Sequence, residues 1–312
     1  MKQRVEKSRV IALLMMALAL LLTPPADSQE TVASIGKEEV RQVIDSAAQF
    51  MRDKYVFPDV GEEIAGVLTS KFEKGRYDSF EDPRELAQQL TEDLRSVNGD
   101  RHLGMNYNPE GIALYLKSLE DTTNNEFELS ERRENAFRNY GFQEMKILPG
   151  NIGYLDLDFF SGTRYAGPTA VAAMNFFANT GALIIDLRTN GGGSPEMIQL
   201  LSTYLFDEPQ HLNSFYYREQ DKTRQFWTLT HVPGPRMADR DVYILTSNRT
   251  FSAAEEFTYN LKNMKRATIV GETTGGGAHP VSSHIINEHF VIRIPFGRAV
   301  NPVTKTNWEG TG

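Results

Sequence analysis

Three short apolar runs constrain the fold of this chain more than any other feature. "ALIIDL" (182–187), "VYILT" (242–246) and "ATIVG" (267–271) are continuous rather than alternating, as strands buried on both faces are. Each hands over to a loop rich in Gly, Ser or Thr. The first two loops run into amphipathic segments, "EMIQLLSTYLF" and "SAAEEFTYNLKNMK". Buried strand, loop, helix, buried strand is the grammar of a parallel sheet with crossover helices. "NIGYLDLDFF" (151–160) reads as a further strand. "HIINEHFVIRIPF" (284–296) reads as a hairpin turning at Asn287-Glu288, which makes the sheet system mixed, though largely parallel. The expected class is α/β over residues 147–312.

Upstream the period changes. Val40, Val43, Ile44, Ala47 and Met51 recur at helical spacing, as do Leu86, Leu90, Leu94 and Val97, with "EEIAGVLTSKF" between them. Asp82-Pro83-Arg84-Glu85 combines an N-cap, Pro at the first helical position and an acidic first turn, a strong helix start. Residues 29–105 therefore read as a small helical N-terminal domain. Residues 106–146, polar through "LEDTTNNEFELSERRENAFRNYG", read as a connector with room for one exposed helix.

Residues 1–28 read as a signal peptide. Lys2, Arg4, Lys7 and Arg9 precede "VIALLMMALALLL", and Ala26 and Ser28 fit a small-residue exit before Gln29. The apolar run is shorter than the ~20 residues needed to cross a ~30 Å hydrocarbon core. Export to the periplasm or medium, without a stable membrane anchor after cleavage, is expected. The formal net charge of −8 and the lack of a basic patch argue against nucleic acid or anionic lipid as partners. With no cysteine, disulfides, a thiol nucleophile and thiolate-held metal are all excluded.

In open parallel sheets, sites gather beyond the carboxyl ends of the strands. Three loops leave such ends. "TNGGGSP" (189–195) is either a tight turn or, through Gly192 and Gly193, part of an oxyanion hole. It is neither a dinucleotide fingerprint nor a phosphate loop, and no cofactor is expected. "SNRTFSA" (247–253) puts Ser252 at a helix start. With Glu255, Ser252 fits a capping box. The same place suits a nucleophile, with the Ala253 amide as an oxyanion donor. "GETTGGGAHP" (271–280) offers Gly275, Gly276 and Gly277 as backbone near a substrate. The histidines are His102, His211, His231, His279, His284 and His289. The last three are spaced by five, which suits neither a helix face nor a strand, so no metal site is expected. Spacing does not choose a base among them.

"ALIIDLRTNGGG", "VYILTSNRTFSAAEEF", "ATIVGETTGGGAHP" and "NPVTKTNWEGTG", in this order, resemble the tail-specific, or carboxyl-terminal-processing, serine peptidase superfamily. The resemblance covers most of the chain after residue 28. It is strongest to the branch containing the repeats of interphotoreceptor retinoid-binding protein and their bacterial exported relatives. It implies a ClpP/crotonase-like core behind a small helical domain, without a PDZ domain, and a peptide or protein substrate. The family's nucleophile falls on Ser252. The lysine base of many members, 25 residues later, falls on Gly277, which rules out a Ser-Lys dyad. Other branches use a histidine from the N-terminal region and a late glutamate. These map onto His102 in "GDRHLGM" and Glu309 in "NWEGTG", implying Ser-His-Glu catalysis. The serine that precedes the histidine in some relatives is Arg101 here. Similar proteins also continue past the equivalent of Gly312 into a further strand and helix, so a C-terminal part is expected beyond it. The retinoid-binding branch implies an alternative, a non-catalytic module for apolar ligands, to which the aromatic run Phe215-Tyr216-Tyr217 would contribute.

Overall fold

The computed structural model describes residues 34–120 and 126–312. The expected signal peptide lies outside the described residues. The apolar stripes upstream form three helices, α1 (Lys37–Lys54), α2 (Pro58–Glu73) and α3 (Pro83–Arg95). α1 buries Val40, Val43, Ile44, Ala47 and Met51. α3 begins as its sequence dictates: Asp82 Oδ1 accepts from Arg84 N at 2.7 Å, and Pro83 opens the first turn.

The chain from Ile35 to Gly312 forms one compact unit. The strand after α3, β1 (Gly104–Tyr107), pairs antiparallel with β10 (Phe290–Pro295), far later in sequence. On β10 the alternate residues Phe290, Ile292 and Ile294 make one apolar face, and that face joins the helical stripes in a single core. Fully burying such side chains contributes about 1.5–3 kcal/mol each. The helical front end and the late hairpin bury each other, and this fixes the segment around residue 102 against the later chain.

The expected connector, residues 106–146, is also more ordered than its polarity suggested. It holds α4 (Pro109–Glu120), α5 (Glu126–Phe137) and the start of β2 (Phe142–Leu148). Its polar residues mark exposed helices, not missing ones: α4 buries only Ile112 and Ser118. Asn108 Oδ1 starts α4 by accepting from Gly111 N at 3.0 Å.

The central sheet has the order β2-β3-β4-β7-β8, with β3 (Ile152–Leu157), β4 (Ala182–Asp186), β7 (Asp241–Thr246) and β8 (Thr268–Gly271) parallel and β2 antiparallel at one edge. Helices α6 (Thr163–Phe176), α7 (Pro195–Thr203) and α8 (Ala253–Asn263) link its strands. Leu183, Ile185 and Ile244 pack with Met197, Ile198, Leu201, Phe257 and Leu261. The fold is α/β and largely parallel, as expected. The continuous apolar runs had implied two covered faces, but among the described residues one face is only part covered, with Tyr243 and Val270 exposed. Two smaller sheets flank the core: β1-β10-β9, with β9 spanning Val281–Ile285, and β11-β5-β6, from β5 (His211–Tyr217), β6 (Lys222–Trp227) and β11 (Gly297–Val300). The hairpin of β9 (Val281–Ile285) and β10 turns where expected, with Asn287 Oδ1 accepting from His289 N and Phe290 N at 2.9 Å each.

Candidate active site

Ser252 sits where β7 gives way to α8. The turn between them is tied to the loop after β4: Thr250 Oγ1 donates to Leu187 O at 2.8 Å and Phe251 N to Asn190 O at 3.0 Å. Held this way, Ser252 takes φ 53°, ψ −118°, a conformation that L-residues rarely adopt and that costs about 1–3 kcal/mol. Glu255 forms the return half of the capping box, Oε2 accepting from Ser252 N at 2.8 Å. The serine hydroxyl lies 3.1 Å from Nε2 of His102.

His102 follows α3 by a turn whose backbone is anchored from the helix: Arg95 Nε donates to Leu103 O at 2.8 Å, and Arg95 Nη2 to Arg101 O at 3.0 Å. The ring is 4% exposed and packs on Phe251 with 4.7 Å between ring centres. Burial lowers its pKa to about 4; the charge of Asp100 opposes this, while His279, Arg293 and Arg95 reinforce it. The imidazole is neutral at neutral pH and free to accept a proton at Nε2.

Asp100, not singled out in the sequence, stands behind the ring. Its carboxylate accepts from His102 N at 3.0 Å, from Tyr55 Oη at 3.0 Å and from His279 Nδ1 at 2.9 Å, and Oδ1 lies 3.9 Å from His102 Nδ1. Burial pushes this carboxyl up, but the hydrogen bond and charge of His279, with the His102 amide, outweigh it and hold the group below its ordinary value. The acceptor of an amide two residues on is a local motif that the sequence could have disclosed. The roles of Tyr55 and His279 needed the fold.

Glu309 is adjacent but does not hydrogen-bond His102. Oε2 accepts from Ala278 N at 2.6 Å and lies 3.4 Å from His279 Nδ1. One ring nitrogen of His102 and one oxygen each of Asp100 and Glu309 fall within 4.8 Å of one another. Burial raises the Glu309 carboxyl to about 7; His279 and the Ala278 amide lower it, and Asp100 and Glu255 add to the rise.

The two glycine loops differ from expectation. Gly192 N is taken by Asn190 Oδ1 at 2.9 Å, so it is not an oxyanion donor. Gly193 N and Ala253 N keep no protein acceptor among the described residues. Gly192 matters through what it lacks: a Cβ there would stand 2.8 Å from Ser252 Cβ and 3.0 Å from Ala253 N.

Gly275, Gly276 and Gly277 do not offer free amides to a substrate. Gly275 N donates to Thr250 O at 2.9 Å, Gly276 N to Glu255 Oε1 at 2.6 Å and Gly277 N to Glu255 Oε2 at 2.8 Å. Glu255, also overlooked in the sequence beyond its capping role, is 1% exposed and collects Thr274 Oγ1 as well. Burial raises its pKa despite these donors. A side chain at 277 would run into the Phe251 ring and come within 2.7 Å of His102 Cε1. The Phe251 ring and the imidazole together occupy the place a side chain at 277 would take.

Residues 151–312 match peptidase family S41. The chain belongs to peptidase family S41. Residues 31–138 match the N-terminal domain of peptidase S41 in eukaryotic IRBP. The carboxy-terminal processing protease CtpB of Bacillus subtilis is 23% identical over 237 residues, covering 70% of this chain and 46% of that protein. The chain spans less than half the length of the curated relatives it matches. A peptidase-like structure from Parabacteroides merdae superposes with TM-score 0.58 at 17% identity over 86% of both chains. A lipoprotein from Streptococcus agalactiae does so at 0.52 and 15% identity over 88% of both. At these identities the likeness in structure speaks for the fold alone.

Proposed function

We propose that this S41 chain is an exported serine peptidase that cleaves peptide bonds through Ser252 and His102. The observation that carries the reading is the 3.1 Å approach of Ser252 Oγ to His102 Nε2, made from a strained backbone at a helix start. Ser252 Oγ attacks the scissile carbonyl carbon while His102 Nε2 accepts its proton. The carbonyl oxygen becomes an oxyanion held by the amides of Gly193 and Ala253, at the positive end of α8. Collapse of the tetrahedral species breaks the C–N bond, and His102 returns the proton to the leaving amine. Water then attacks the acyl-enzyme by the same route in reverse roles.

During each transfer the imidazole is positive. Asp100 and Glu309, both behind it, stabilise that charge, the service the third member of a triad performs. Of the two, Asp100 is the more fully ionised at neutral pH because its neighbours hold its pKa down. Secretion rests on the basic, apolar and small-residue segments before Gln29. The test is Ser252→Ala: the variant is expected to fold as the parent does and to lose peptide hydrolysis. Turnover equal to the parent's would end the nucleophile assignment.

A second reading, binding of apolar ligands, draws on a groove of about 600 Å³ lined by Phe50, Ile112, Tyr115, His284, Ile285 and Val291, among others. Under it, a fluorescent retinoid would bind Ser252→Ala as well as the parent and bind Ile112→Asp at least tenfold more weakly. Equal binding by both variants would remove the groove from consideration.

A further inference from the structure

One atom of the site is not used by the hydrolytic cycle as the side chains stand. Nδ1 of His102 is buried and has no hydrogen-bond partner. An unpaired buried polar atom costs about 1–3 kcal/mol, and most such atoms have a partner. The surroundings of Nδ1 are those of a ligand set. Asp100 Oδ1, 3.9 Å away, accepts only from the His102 amide, and Glu309 uses Oε2 on Ala278 N, leaving Oε1. These groups draw within 4.8 Å of one another, on two buried side chains and one, Glu309, whose side chain is 22% exposed and gives a way in from solvent.

Around a four-coordinate ion with bonds of about 2.0–2.2 Å, neighbouring ligand atoms stand about 3.4 Å apart. The three groups need to close by well under an ångström each to reach that spacing. An imidazole nitrogen with two carboxylate oxygens is a donor set that suits zinc, whereas magnesium and calcium favour all-oxygen shells. We propose that His102 Nδ1, Asp100 and Glu309 bind a divalent transition-metal ion, for which zinc is the probe, and that the ion switches off the base from behind.

The inhibitory half of this rests on His102 being the base; the binding half does not. With metal on Nδ1, the ring proton that Nδ1 carries in the active tautomer moves through water to Nε2. Nε2 then donates toward Ser252 Oγ instead of accepting from it, and the serine proton has nowhere to go. The ion also withdraws both carboxylates from stabilising a positive ring. Only a ring proton changes place and no bond between heavy atoms of the protein is broken, so the block is reversible.

The experiment uses the full chain carrying Ser252→Ala and titrates zinc by calorimetry in a buffer that does not bind metal. One zinc per chain is expected, with affinity at least tenfold weaker when Glu309→Gln is added. His289→Gln is the control, because His289 Nδ1 sits 2.6 Å from Glu39 Oε1 at a separate acidic surface; it is expected to leave binding unchanged. In the chain with Ser252 intact, zinc over the same range is expected to suppress peptide hydrolysis and a chelator to restore it. No zinc binding, binding indifferent to Glu309→Gln, or binding abolished by His289→Gln would overturn the site. If zinc binds as expected but no preparation hydrolyses peptides, the site stands and the peptidase reading falls. Should Glu309→Gln fail to fold, cobalt(II) in the Ser252→Ala chain decides. Intense visible bands of a four-coordinate site, displaced by one equivalent of zinc, support it; the pale spectrum of octahedral cobalt overturns it.

Discussion

Two glycine triplets, Gly191–Gly193 after β4 and Gly275–Gly277 after β8, carry the same three letters and do opposite things. In the first, Asn190 Oδ1 takes only the Gly192 amide, Gly192 itself packs against Ser252, and the Gly193 amide keeps no acceptor among the described residues. In the second, Glu255 and the Thr250 carbonyl take all three amides, and the loop becomes a wall that holds Ser252 N and Phe251 in place. A run of glycines says that backbone comes close to something. Whether its amides are open to a ligand depends on the nearest buried acceptor, here one asparagine against one glutamate.

The strongest way to break this contrast is to remove that glutamate. Glu255→Ala would leave the donors of Ser252, Thr274, Gly276 and Gly277 without their acceptor, and is expected to destabilise the fold by about 3 kcal/mol or more. Urea denaturation checks it, and a midpoint close to the parent's would show that the second loop is not built on Glu255. Next comes Gly192→Ala. Its methyl would crowd Ser252 and the Ala253 amide, so kcat is expected to fall by about 10²–10³-fold, the scale of losing an oxyanion donor. Steady-state kinetics on the folded variant tests this, and a kcat within threefold of the parent's would argue against an oxyanion beside residue 192.

The charges behind the base give a pH signature of intermediate size. His102, at about 4 when folded, faces Asp100, His279, Arg293 and Arg95; its contribution to stability is present above its ordinary 6.5 and lost as pH falls through 4. Glu309, at about 7 when folded, faces His279, Asp100 and Glu255; its contribution is present below its ordinary 4.5 and lost as pH rises through 7. Between pH 4.5 and 6.5 the two slopes oppose each other. Removing the second group with Glu309→Gln is expected to make stability rise more steeply with pH across that window. Parallel denaturation curves against pH for the two proteins would contradict the Glu309 assignment. The smallest effect is expected at Gly275→Ala: crowding of Phe251 and Arg101 costs about 1–3 kcal/mol of stability, while kcat changes less than tenfold because the amide is already taken. A larger loss of kcat would put the second loop back among the substrate contacts.

The sequence disclosed the sheet, its crossover helices and the three N-terminal helices, because apolar period and capping chemistry are local. It did not disclose that Phe290, Ile292 and Ile294 find their covering helices about 200 residues upstream. Polarity in 106–146 leaves room for one exposed helix, where the structure has two, Pro109–Glu120 and Glu126–Phe137. At the site, the sequence leaves Ser252 open between cap and nucleophile; the box is closed from Glu255, while the hydroxyl faces His102. His102 and Glu309 were found only through family resemblance. Asp100 was passed over because two of its partners, Tyr55 and His279, lie 45 and 179 residues away in sequence. No periodicity could report a carboxylate assembled from such distances.

The central claim is that Ser252 is activated by His102, and active-site labelling addresses it most directly. A fluorophosphonate probe followed by mass-spectrometric mapping is expected to place one adduct on Ser252 of the parent chain and none on folded His102→Ala. An unlabelled parent, an adduct at another residue, or labelling that survives without His102 would contradict it.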